Sequence, residues 1–296
     1  TMPKTLDLIS GAQRFETAAN RAFWQEIIGH LRGKPARLLS FDDVRARLRL
    51  REESYGGLQD IPLTAIVGSV GRYQDFTANF LPKSAVSRDR WSRIYAEAVG
   101  AMGLPPIEVY QIAGVYFVRD GNHRVSVAHE LGYKTIQAYV TVVDGPECLT
   151  DLLMNKQMDA AEAYMTFMDE TGLRSLFEAH DLMLSEPSRY GDLLGHLNLH
   201  RLVLEEAEGE PVSLNDAALH WYEQVYDPAV QLMRRHEILD HARGRTETDM
   251  YLWLVDHLCE LEGCYNGQAA DLAPALVSFL QKRHLPVPDE LMPEAV

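Results

Sequence analysis

Residues 116–132, YFVRDGNHRVSVAHELG, impose a change of backbone geometry inside one short segment. Tyr116, Phe117, Val118 and Arg119 are apolar or β-prone residues that read as a strand. Asp120-Gly121 is a turn signal, because glycine tolerates the positive φ that a sharp reversal requires. From His123 to Leu131 the pattern is helical, and Gly132 supplies the stop. A strand that turns directly into a helix presents that helix's free N–H groups and positive dipole end at the turn. This is an anion-binding geometry, and Asn122, His123 and Arg124 add side-chain donors to it.

The flanking sequence supplies further elements. Residues 10–32 carry Phe15, Ala18, Ala19, Ala22, Phe23, Ile27 and Leu31 at helical spacing. Ser40 caps a second helix expected to run to about Glu53, after which Tyr55-Gly-Gly-Leu58 reads as a loop and Ile61 to Val67 as a short strand. Residues 87–102 form a helix with Trp91, Ile94, Tyr95, Ala98 and Met102 on one face; Arg88, Arg90 and Arg93 on the other read as a solvated surface or as a modest basic patch. Residues 107–112 and 116–119 pair as a hairpin through Ala113-Gly114, and residues 135–143 close a small mixed sheet. Beyond Leu149 the pattern is almost wholly helical, broken at Ser185-Glu-Pro187, Glu208-Gly-Glu-Pro211 and Asn266-Gly267.

Charge divides the chain in the same place. Residues 1–145 hold 18 Lys/Arg and 15 Asp/Glu, whereas residues 146–296 hold 10 and 28. The acidic half repels a phosphate backbone, which argues against nucleic acid as its partner. No apolar run reaches the roughly 18 residues of a membrane span. Cys148, Cys259 and Cys264 form no CxxC pair, and with no signal-peptide layout they suit a reducing cytoplasm.

Val115 to Val140 resembles the second conserved block of the ParB/sulfiredoxin superfamily, in which a strand enters Gly-x-x-Arg-Arg or Gly-Cys/His-His-Arg, then a helix, then a closing strand. Gly121, His123, Arg124, Ala128, Gly132, Ile136, Ala138 and Val140 fit that pattern. Ile61 to Ile66 resembles the opening strand of the family, Gly68 to Phe76 stands where partition proteins carry a turn, and Gly103 with Pro106-Ile107 matches a further step. The resemblance implies an α/β (α+β) ParB/sulfiredoxin-like domain over about residues 58–145 with a small mixed sheet. Helices in residues 1–57 would pack on it, and an acidic all-α domain, 146–296, would follow. The stretch Gly244 to Trp253 resembles a helical region found beside ParB-like domains in uncharacterised bacterial proteins.

Sulfiredoxins carry their catalytic cysteine where this chain has Asn122, so thiolate chemistry is not expected. Free serine kinases of the superfamily carry Asp-Gly-His-His-Arg, close to Asp120-Gly-Asn-His-Arg124. The resemblance therefore implies a nucleoside triphosphate with Mg²⁺, then hydrolysis or phosphoryl transfer to a small molecule. His123 and Arg124 would contact phosphates. Gly121 and Asn122 would sit at the helix start. Gly68, Ser69 and Arg72 would form a second wall; in the alternative the two glycines, Gly68 and Gly71, only turn the chain and Arg72 pairs with Asp75 or solvent. Asp120 either caps its turn or serves as base or metal ligand; with His123 it is the catalytic candidate. Glu247 and Asp249, in a charged run with Arg243, Arg245 and Asp256, are further metal candidates, or else the carboxylates of a first helical turn behind Thr246. His196 and His200, one turn apart after Asp192, have metal-ligand spacing or simply pack. Two other functions stay open: a DNA-binding regulator or nuclease, and a non-catalytic sensor whose helical half repacks or dimerises with nucleotide.

Overall fold

The computed structural model describes residues 5–31, 37–83, 86–100, 103–176, 182–242, 244–262, 272–282 and 287. Met102, Arg243, Cys264, the Asn266-Gly267 turn and the side chains of Leu31 and Cys259 lie outside the described residues. The chain forms two compact units, Thr1–Met158 and Asp159–Val296. The first is a mixed six-stranded sheet with helices, and a helical C-terminal region follows it.

Unit 1 begins with α1 (Thr5–Leu31), then β1 (Leu39–Ser40), α2 (Phe41–Arg47), β2 (Glu53–Pro62) and β3 (Ile66–Ser69). It continues through α3 (Arg88–Ala98), β4 (Ile107–Ile112), β5 (Val115–Asp120), α4 (Asn122–Glu130), β6 (Thr135–Val143) and α5 (Thr150–Met154). The sheet order is β1-β3-β5-β4-β6-β2. β4 and β5 are the expected antiparallel hairpin; β3 runs parallel to β5 and β6 runs parallel to β4. β5 therefore lies inside the sheet, which is why its residues 115–118 are all buried and carry no alternation.

Three sequence readings change. The helix expected to reach Glu53 ends at Arg47, and the expected loop at Tyr55–Leu58 is inside β2, paired along its length with β6. Gly56 and Gly57 do not break that strand. They bulge it: Gly57 has φ 82° and the register shifts between Tyr55 and Gly57. The strand expected over residues 61–67 is interrupted by a 3₁₀ turn, Leu63–Ala65, which separates β2 from β3. On α1, Phe15, Ala18 and Ala22 are buried as expected, but Phe23 and Ile27 are exposed. At Gly11 a Cβ would come within 2.9 Å of the Ser92 carbonyl, so the helix face is set by a close crossing with α3.

Helices α1, α3 and α4 share one apolar core with β4, β5 and β6, including Phe15, Trp91, Val109, Val118, Val125 and Val140. Trp91 is fully buried, and its indole donates to Ser126 Oγ at 3.0 Å, tying α3 to α4. Trp91→Phe keeps an aromatic ring but leaves the buried Ser126 hydroxyl without this partner. A loss of about 1–2 kcal/mol is expected by denaturant titration, partly recovered in the Trp91→Phe/Ser126→Ala double variant.

α6 (Met158–Thr171) leads into unit 2, which also holds α7 (Tyr190–Glu208), α8 (Leu214–Trp221), α9 (Asp227–Arg235), α10 (Glu247–Glu262) and α11 (Leu272–Lys282). A π-turn, Tyr222–Tyr226, joins α8 to α9 just ahead of Pro228, where the missing N–H would otherwise interrupt the ladder. Trp221, Tyr226 and Tyr251 pack together there, with the Trp221 indole donating to the Tyr251 hydroxyl at 2.8 Å. No helix among the described residues is long and apolar enough to cross a membrane.

Candidate functional site

β5 delivers Asp120 to one end of the sheet, and the chain turns into α4 at Gly121. Gly121 is the N-cap, with φ 113° and ψ 16°, and no side chain caps the first turn. A Cβ there would stand 2.5 Å from Ile107 Cγ2, so both backbone conformation and space require glycine. The first turn of α4 contains no acidic residue to offset the positive dipole end.

A cavity of about 330 Å³ opens at this corner, lined by Gly71, Arg72, Arg90, Ile94, Arg119 and residues 120–124. Four of the lining residues are arginines and one, Asp120, is a carboxylate. Each arginine arrives from a different element. Arg90 comes from α3, Arg124 from α4 and Arg72 from the loop after β3, whereas Arg119, near the end of β5, has its guanidinium over the Tyr110 ring and 3.8 Å from Glu108. Arg72 adopts φ 57°, a left-handed conformation that is uncommon for a side chain of this size. Its carbonyl accepts from Asp75 N–H, closing a turn that leaves the guanidinium 3.4 Å from His123 Nε2.

His123 is 4% exposed. Burial first, then the nearby Arg90 and Arg72 charges, push its pKa down to about 4, so the imidazole is neutral at pH 7. Arg72 can only donate, so Nε2 accepts and Nδ1 carries the proton; Nδ1 is buried and without a partner. The Asn122 amide nitrogen donates to the Gly71 carbonyl at 3.4 Å, and its Oδ1 is likewise buried and unpartnered. One unsatisfied donor and one unsatisfied acceptor therefore belong to adjacent residues lining the same cavity. Native interiors seldom leave such groups without a partner unless water, an ion or a ligand supplies it.

Arg124 is held from two sides. Nη1 donates to the Pro105 and Pro106 carbonyls just before β4, and Nη2 pairs with Asp120 Oδ2. The backbone contacts fix where the guanidinium stands, while Asp120, with a side chain 60% exposed, holds only its outer end.

The structure thus brings Arg72, Asp120, Gly121, Asn122, His123 and Arg124 together. Gly68 and Ser69 do not line the cavity. A Cβ at Gly68 would stand 2.5 Å from both the Leu39 carbonyl and Phe117 Cδ1, so that glycine permits close strand packing. Ser69 is fully buried, and its hydroxyl donates to the Val118 carbonyl at 2.9 Å across to β5. Gly71 takes the lining role expected of them.

Glu247 and Asp249 are both engaged by neighbours in unit 2. Glu247 makes a two-point pair with Arg234 at 2.5 and 2.6 Å. Asp249 closes a reciprocal cap with Thr246, accepting from its N–H at 2.9 Å, while its other oxygen accepts from Ser185 N–H at 3.1 Å. His200 Nε2 meets His220 Nδ1 at 2.9 Å, and Asp192 pairs with Arg189. Among the described residues no group of three or more His, Cys, Asp or Glu is placed to hold a metal ion.

Arg90 and Arg119 are the residues that sequence reasoning missed as site residues. Arg119 had a local signal, standing directly before Asp120 at a strand end. Arg90 stood among the three arginines of a possible basic patch, but nothing in a helical pattern says which flank of the helix faces a neighbouring turn. No protein-family model matches the chain, and no curated protein matches it in sequence.

Proposed function

We propose that unit 1 is a ParB/sulfiredoxin-like domain that binds a nucleoside triphosphate through its phosphate chain. The observation that carries this reading is the arginine-lined cavity at the uncapped start of α4. Its volume of about 330 Å³ is at the lower end of small-molecule sites and gives room for a chain of phosphates. Arg72, Arg90 and Arg124 supply the charge, and the α4 N–H groups supply further donors. Turnover would be hydrolysis or phosphoryl transfer to a small molecule, with the arginines neutralising the charge that develops.

The residues present do not make a protein-held Mg²⁺ site, since Asp120 is the one carboxylate among the lining residues and is paired with Arg124. The same pairing favours a second reading, binding without turnover, because it leaves no lining carboxylate unengaged to accept a proton. Calorimetry of the full chain with ATP, CTP, GTP and ADP tests the binding reading. Arg124→Ala is expected to weaken binding roughly 10- to 100-fold, the worth of a charged hydrogen bond. No heat with any of the four nucleotides, with or without Mg²⁺, rejects the reading; binding with no released phosphate selects the second form of it. A DNA-binding role predicts instead a gel shift that fades steeply as salt rises.

A further inference from the structure

We infer that Asp120 is the resident anion of the cavity: it holds the outer end of Arg124 until a phosphate oxygen takes its place, and so opposes ligand binding instead of assisting it. This rests on the phosphate-binding reading above and specifies how that site discriminates among anions.

The geometry separates the two sides of Arg124. Its Nη1 is fixed by the Pro105 and Pro106 carbonyls, which are backbone atoms of the segment leading into β4. Its Nη2 is held by Asp120, whose side chain is 60% exposed against 17% for Arg124. Removing Asp120 therefore leaves the guanidinium in position, and the carboxylate has solvent to swing into. An exposed ion pair is also weak enough to be exchanged.

Charge decides what can make the exchange. The lining residues set Arg72, Arg90 and Arg124 against the one carboxylate Asp120, with Arg119 turned toward Glu108 and His123 neutral. A monoanion gives Arg124 nothing that Asp120 does not already give. A phosphate chain with two or more charges satisfies Arg124 and still has oxygens for Arg72 and Arg90. The class of ligand is thus a multiply charged phosphate, with the arginines in the neutralising role that a divalent cation often plays.

The test is calorimetric titration of the full chain with inorganic pyrophosphate in EDTA, for wild type, Asp120→Asn and Asp120→Glu. Removing one like charge a few ångströms from the anion is expected to tighten binding about tenfold in Asp120→Asn. Asp120→Glu keeps the charge and is expected to stay near wild type, and matched thermal melts of the variants confirm folding. Tighter binding by Asp120→Asn, including binding by that variant alone, supports the inference. Measurable wild-type binding that is unchanged or weaker in Asp120→Asn overturns the inference but leaves the phosphate site standing. If Asp120→Asn and wild type bind neither pyrophosphate nor any nucleoside triphosphate, both fall. Binding that appears only when Mg²⁺ replaces EDTA, and is lost in Asp120→Asn, overturns the inference and makes Asp120 a metal ligand.

Discussion

Gly121→Ala is expected to destabilise unit 1 by about 3 kcal/mol, the sum of a backbone term and a steric term. The glycine holds φ 113°, and an added Cβ would stand 2.5 Å from Ile107 Cγ2 and 2.9 Å from Ile107 Cβ. Neither contact is relieved by a side-chain rotation at position 121, because alanine has none, and Ile107 is fully buried in the first rung of β4. For a unit of this size the loss corresponds to roughly 10 °C in Tm. Because the strain sits at the start of α4, phosphate binding should fall together with stability. A thermal melt of Gly121→Ala that moves by less than about 2 °C would contradict the turn geometry on which the cavity depends.

The second large effect is on pH. His123 in unit 1 and His200 in unit 2 both have pKa values pushed down to about 4. The causes are burial and then arginine charges for His123, and burial and then His220 for His200. An unfolded imidazole takes up its proton near pH 6.5. Between that value and 4 the unfolded chain therefore binds protons that the folded chain does not, and stability falls as pH falls. The contribution of each histidine is complete above pH 6.5 and lost by about pH 4, worth about 3 kcal/mol apiece. Denaturant titrations at pH 7, 5.5 and 4 should show this slope, and His123→Gln and His200→Gln should each flatten part of it. An imidazole of His123 seen by NMR to titrate near pH 6.5 in the folded chain would refute its burial beside Arg72 and Arg90. Bound phosphate would supply the missing negative charge and raise the His123 pKa, so anion affinity should increase on mild acidification.

The run VYFVRD followed by Gly121 and the helical HRVSVAHE was readable because each local preference agrees with the fold, so strand, turn and helix appear where the periodicity puts them. The hairpin through Ala113-Gly114 was legible for the same reason. Gly56-Gly57 was not, since a glycine pair has the same local signature in a loop as in a bulge, and only pairing with β6 selects the bulge. Gly68 and Ser69 also misled. Their residue types suit a phosphate loop, but the neighbouring Leu39 carbonyl, Phe117 ring and Val118 carbonyl use them for sheet packing.

The sequence by itself determined the local pieces of this protein: the strand-turn-helix with a bare helix start, the glycine at its corner, and the charge contrast between the halves. Those are fixed by backbone preference and composition, which act over a few residues. Only the tertiary structure decided that Arg72, Arg90 and Arg124 converge, that Asp120 restrains one of them, and that Glu247 and Asp249 serve a pair and a cap. Convergence depends on strand order and on helix faces chosen by close crossings such as Gly11 against Ser92, which couple residues far apart in the chain.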